Sequence, residues 1–169
     1  ITVDNGAGDR IVNASDGAIL ASFTADVDFD VVDDANAVAA EVTGMGNSLG
    51  DLNEANKVVV SGGDVTAADA AAIQQISGYN DSASDYDITD TAAALISATD
   101  SVLDKAGVDT VSVTGGPVDA DTGEKLAELS KDVEFDVLDT ADNVAAEVTG
   151  SNVASDLDEA NKVVVSGGD

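Results

Sequence analysis

Histidine, cysteine and tryptophan are missing from the 169 residues, and proline and methionine occur once each. Each absence closes a class of chemistry. Without histidine the commonest general base and transition-metal ligand is gone. Without cysteine there is no thiol nucleophile, no thiolate metal site and no disulfide framework. Bases are scarce too: six Lys and Arg stand against 34 Asp and Glu, a formal net charge of −28. A field of that sign repels nucleic-acid phosphates and anionic membranes, so no nucleic-acid partner is expected. No apolar run approaches the roughly 20 residues of a membrane helix, so no membrane insertion is expected either. The chain opens on Ile1 with no signal-peptide features and reads as a fragment of something longer.

What is present is small and apolar. Hydrophobic residues make up 44% of the chain but aromatics only 3%, so any core must be built from Ala, Val, Ile and Leu. Acidic chains with few aromatics are often disordered. Here the regular spacing of the apolar positions argues for a folded chain, whose self-repulsion needs salt or cations to screen it.

That spacing comes from duplication. The segment VDFDVVDDANAVAAEVTG at Val27 returns as VEFDVLDTADNVAAEVTG at Val133, 106 residues on. DLNEANKVVVSGGD at Asp51 returns as DLDEANKVVVSGGD at Asp156, 105 residues on. Most aligned positions are identical, with one residue lost between the two segments.

A shorter period lies inside the long one. Strand-like runs occur at 1–3, 27–32, 57–61, 86–89, 110–114, 133–138 and 162–166, each followed by a polar residue and a helical pattern. The apolar stripes are Ala35, Val38, Ala39 and Val42; Ala92, Leu95, Ile96 and Leu103; and Ala141, Val144, Ala145 and Val148. Two kinds of unit alternate, one whose strand ends in Asp (YDITDTAAAL, FDVLDTADNV) and one that ends in Gly-Gly (VVVSGGDVTAADAAAI, VSVTGGPVDADTGEKL). Gly62, Gly63, Gly115 and Gly116 are expected at tight turns with positive φ, with Pro117 tolerated at the same turn. Asp64, Asp90 and Asp139 are expected as helix N-caps.

Strand, crossover helix and strand make a parallel, right-handed βαβ unit. A closed βα barrel needs eight such units. The seven strand signals and the near-identity of the copies favour an α/β fold of another kind: a right-handed βα solenoid with short parallel strands and short helices. Residues 1–169 then form one continuous repeat array, with units starting near 1, 27, 57, 85, 109, 133 and 161.

Tyr86 to Leu95, Val58 to Ile73 and Val133 to Val148 together resemble the tandem βα repeats of giant secreted bacterial proteins. These are the cell-surface, S-layer-like and adhesin-like proteins of marine cyanobacteria and proteobacteria. The resemblance implies an extracellular, cell-surface location and supplies no catalytic residue.

No enzymatic role is expected. Paired carboxylates could in principle serve a glycosidase, but aromatic platforms for sugar are few, and Phe29 and Phe135 occupy equivalent repeat positions, which marks them as packing residues. The Gly-Gly-Asp turn has neither the G-x-G-x-x-G pattern nor the Lys of a phosphate loop. Calcium is the one cofactor that the composition suggests, since clustered acidic and amide oxygens are its ligands. The candidates are Asp4, Asn5 and Asp9 in a segment like a degraded Gly-rich calcium nonapeptide; Asp26, Asp28 and Asp30 along a strand; and Asp81, Asp85 and Asp87 in a loop. A solvated acidic face is the competing account of all nine. The function expected is a structural part of a surface layer, fibre or filament that associates with itself end to end or laterally. The alternatives are the spacer of an adhesin or phage fibre and a calcium-stabilised binding module.

Overall fold

The computed structural model describes residues 10–23, 27–44, 52–149 and 156–167. The first strand-like run, at 1–3, lies outside them. The chain is α/β. Its elements run β1 (Ile11–Val12), α1 (Ala14–Ala21), β2 (Asp30–Asp33), α2 (Ala35–Thr43), β3 (Lys57–Val65), α3 (Ala67–Ile73), β4 (Asp85–Thr91), α4 (Ala92–Ser97), α5 (Asp100–Leu103), β5 (Val108–Thr114), α6 (Ala120–Ala127), β6 (Val133–Glu134), β7 (Asp136–Thr140), α7 (Ala141–Thr149) and β8 (Lys162–Ser166). Six strands share one sheet in chain order, β1 to β6, and β7 pairs with β8. The registered pairings β1–β2, β2–β3, β3–β4, β5–β6 and β7–β8 are parallel, as strands joined by helical crossovers must be. The contacts divide the chain into two compact units, residues 1–88 with 105–109, and residues 89–104 with 110–169.

In unit 1 the core forms because two periodicities meet. Strand residues alternate, so Val58 and Val60 of β3 and Tyr86 and Ile88 of β4 are buried while their neighbours are not. The stripe expected on α2 is buried in full: Ala35, Val38, Ala39 and Val42. α3 adds Ala67, Ala70 and Ile73. Phe29 is fully buried, as a packing residue should be. The small side chains let helix and strand approach closely. In unit 2, Leu95, Leu103, Val111, Leu126, Phe135 and Val137 play the same part.

The expected positive φ is present, 78°, 92°, 95° and 101° at Gly62, Gly63, Gly115 and Gly116, but at Gly62 and Gly63 the chain does not turn: both lie within β3, where the register against β4 shifts between Ser61 and Asp64. The expected caps are displaced. α4 is capped by Thr91, whose hydroxyl accepts the Ala94 N–H. α3 is capped by Thr66 and not by Asp64, which lies within β3. At the start of α7 the Asn143 N–H donates to the Thr140 hydroxyl. The cap thus falls one residue after Asp90 and Asp139 and two after Asp64, and Asp139 is held by other groups. β1 and α1 are elements that the apolar pattern does not announce.

Candidate functional site

The duplication is reproduced contact by contact. In unit 1 the Asp33 carboxylate at the end of β2 accepts two backbone N–H groups, from Ala14 in the first turn of α1 (2.9 Å) and from Asp34 (2.9 Å). In unit 2 Asp139 at the end of β7 does the same for Ala120 of α6 (3.0 Å) and Thr140 (2.7 Å), and also accepts the Asn143 amide. These three donors hold the Asp139 carboxyl below its ordinary pKa, with the Ala120 N–H the largest cause. Each carboxylate therefore ties a strand end to the positive end of the preceding helix.

A glycine marks the same helices. A Cβ on Gly17 would lie 2.8 Å from Val31 and 3.3 Å from Phe29; one on Gly123 would lie 3.0 Å from Val137 and 3.2 Å from Phe135. Helix and aromatic ring meet only because that Cβ is missing. The backbone closes in matching fashion, with Asn56 N–H on the Phe29 carbonyl and Asn161 N–H on that of Phe135. Register matches too, Asp30 facing Lys57 and Asp136 facing Lys162. The repeat extends upstream of the segments legible in sequence, through Asn13, Ala14 and Gly17 against Asp119, Ala120 and Gly123.

The acidic residues singled out for calcium are spread among these structures. Asp4, Asn5, Asp9 and Asp26 lie outside the described residues. Asp28 is bound by Arg10 and by the Asn56 amide, which lower its pKa, Arg10 first. Asp30 is half-buried. Asp81 accepts the Gly107 N–H (2.9 Å) and the Tyr79 hydroxyl (3.3 Å). Asp85 is exposed and Asp87 half-buried. Among the described residues a different group converges: carboxylate oxygens of Asp121 and Glu124 on α6 and Glu147 on α7 lie within 4.8 Å of one another. Asp121 is also paired with Lys125. Residues 121 and 124 belong to one helix at i, i+3, but their meeting with 147 depends on how α6 packs on α7, which no spacing reveals. The first copy carries Ser15, Ala18 and Glu41 at the corresponding positions, so this cluster is not duplicated.

An open polar cleft of about 520 Å³ lies in unit 1 against Asn56, Ser77, Tyr79 and Asp81. Burial, with Tyr86 beside it, raises the Tyr79 phenol above its ordinary pKa. Gly107 is packed against this tyrosine, since a Cβ there would sit 2.7 Å from its hydroxyl. Ser84 links the same wall to β3 by accepting the Val60 N–H at 3.1 Å. Asn56, Asp81 and Ser84 each hold two segments together, through Asp28, Gly107 and Val60.

The two copies differ sharply at one place. α2 and α7 are nearly identical in sequence, yet α2 buries four residues and α7 none. Val42 is 6% exposed and its counterpart Val148 43%. β3 buries Val58 and Val60 completely, whereas Val163 and Val165 of β8 are 39% and 52% exposed. Leu138 and Val164 add to the same apolar exposure.

No helix of the described residues is long and apolar enough to cross a membrane. No protein-family model, curated protein or solved structure matches the chain.

Proposed function

We propose that the chain is a structural length of a right-handed βα solenoid, working in an extracellular bacterial surface layer, fibre or filament. The observation that carries this reading is the matched pair of contact sets around Gly17–Phe29–Asp33 and Gly123–Phe135–Asp139. Selection for a chemical site diversifies copies, whereas selection for stacking keeps the contacts that join one layer to the next. The parallel strands in chain order support it, as do the alternating Asp and Gly-Gly units. The acidic surface suits an object that is kept apart from others by charge and tightened by salt.

The test is an insertion of one whole period. A chain carrying a second copy of residues 27–132 should keep the same helix and strand content per residue and melt at an equal or higher temperature. A fold that closes on itself would aggregate or lose cooperativity with the added block, and that result would remove the solenoid. Antibody labelling of intact source cells tests the location separately.

A calcium-stabilised module is the second reading, favoured by the convergence of Asp121, Glu124 and Glu147. It requires a calcium-dependent rise in melting temperature beyond that given by monovalent salt of equal ionic strength, and loss of that rise in Glu147→Gln.

A further inference from the structure

The exposed face of α7 and β8 has a counterpart whose covering is visible. In unit 1, α2 packs against α3, and β3 pairs in parallel with β4 through Ser61–Asp85, Asp64–Asp87 and Val65–Ile88. That layer brings Ala67, Ala70, Ile73, Tyr86 and Ile88 into the core. The segment leading into β4 meets the β3 edge, Val58 pairing with Tyr79 and the Val60 N–H donating to Ser84, and Val42, Val58 and Val60 are buried. The residues beneath are nearly the same in both copies. KVVVS of β3 is KVVVS in β8, and AVAAEVT of α2 is NVAAEVT in α7. Closely similar surfaces select a similar covering, because apolar burial depends on area and shape and the strand edge offers the same row of N–H and C=O groups.

We propose that α7 and β8 form an acceptor face for one further βα layer of the α3–β4 type: a short helix of Ala and Ile followed by a parallel strand with a Tyr-x-Ile core. The inference rests on the structural-array reading and names what the array adds at this face. Glycines with positive φ follow the KVVVS run in both copies, Gly62 and Gly63 at the register shift within β3 and Gly167 after β8. An extended strand without a helix does not fit the face, since it would leave Val148 on α7 uncovered.

The experiment compares the 169-residue chain with the same chain followed directly by a copy of its own residues 65–91. Amide hydrogen exchange is read at 163–166 and along the added segment. The proposal expects exchange in β8 to slow about tenfold or more and the added segment to become protected. It also expects Val165→Asp to abolish both effects in the long chain while leaving the circular dichroism of the short chain unchanged. An added segment that exchanges as unstructured chain, over an unchanged β8, overturns the proposal. So does concentration-dependent association of the short chain that Val165→Asp removes, because the face would then take a second whole copy. The period insertion described above does not depend on this face, so it can succeed where this test fails, and the reverse.

Discussion

Asp139, at the end of β7, accepts the backbone N–H of Ala120 in the first turn of α6 at 3.0 Å. The bond ties the strand to the helix that precedes it, and its strength depends on the carboxylate being ionised. Asp139→Ala should therefore lower the melting temperature at pH 7 by several degrees. The pH dependence has a definite sign. The folded-state pKa is depressed, so the stabilisation is complete above the ordinary carboxylate value of about 4 and is lost as pH falls through the lower folded value. Thermal melts from pH 7 down to pH 2 should show the wild type and the alanine variant converging at the acid end.

The glycines under the aromatic rings give a second prediction. A methyl group at Gly17 would have to move Val31 or Phe29, both fully buried. Gly17→Ala should cost about 1–3 kcal/mol, the usual range for overpacking. Gly123→Ala, with its nearest atom at 3.0 Å instead of 2.8 Å, should cost less. Urea unfolding midpoints of the two variants would check the order, and equal midpoints would contradict the close approach.

Equivalent valines should differ in cost. Val60 is fully buried and Val165 is 52% exposed. Val60→Ala removes two buried methyl-sized groups and leaves a cavity, about 2 kcal/mol or more. Val165→Ala should fall within about 0.5 kcal/mol of wild type. Chemical denaturation of both variants in the unextended chain measures the contrast.

Charge supplies the fourth. Raising NaCl from 10 mM to 0.5 M shortens the screening length several-fold, from about 30 Å to a few Å, and should raise the melting temperature of a chain with net charge −28. Glu147→Gln removes one of three converging carboxylates. With chelator present and at low salt it should raise the melting temperature, and the gain should shrink at 0.5 M NaCl. A variant less stable than wild type under those conditions would mean that the cluster is held by something other than repulsion and its Lys125 pair.

Much of the fold is legible because its signals are local. The run KVVV reads as a strand, and the stripe of Ala35, Val38, Ala39 and Val42 reads as a packed helix face; both are present, although β3 runs on through Gly62 and Gly63 to Val65 instead of ending there. β1 and α1 escape for an equally physical reason. Gly17 sits mid-helix, where glycine ordinarily weakens a helix, and only the tertiary approach of Phe29 explains it. The caps were legible in kind but misplaced. An Asp before a Thr suggests a cap at either residue, and the choice of Thr140 follows from the engagement of Asp139 by Ala120, 19 residues away. At the candidate sites, Glu147 meets Asp121 only through helix packing, and the exposure of Val148 against the burial of Val42 arises from neighbours and not from sequence. The spacing of residues cannot encode what lies across from them.

The matching registers, Asp30 with Lys57 and Asp136 with Lys162, also mean that during folding each strand has two addresses. β2 finds its own partner 27 residues on (57 − 30) or a nearly identical one 132 residues on (162 − 30). Loop-closure entropy separates the two by about 1.4 kcal/mol, roughly a tenfold preference. A minority of refolding molecules is therefore expected to begin with strands exchanged between copies, seen as a slow refolding phase that a chain holding one copy lacks. The similarity of the two copies thus gives the chain a way to go astray that a single copy would not have.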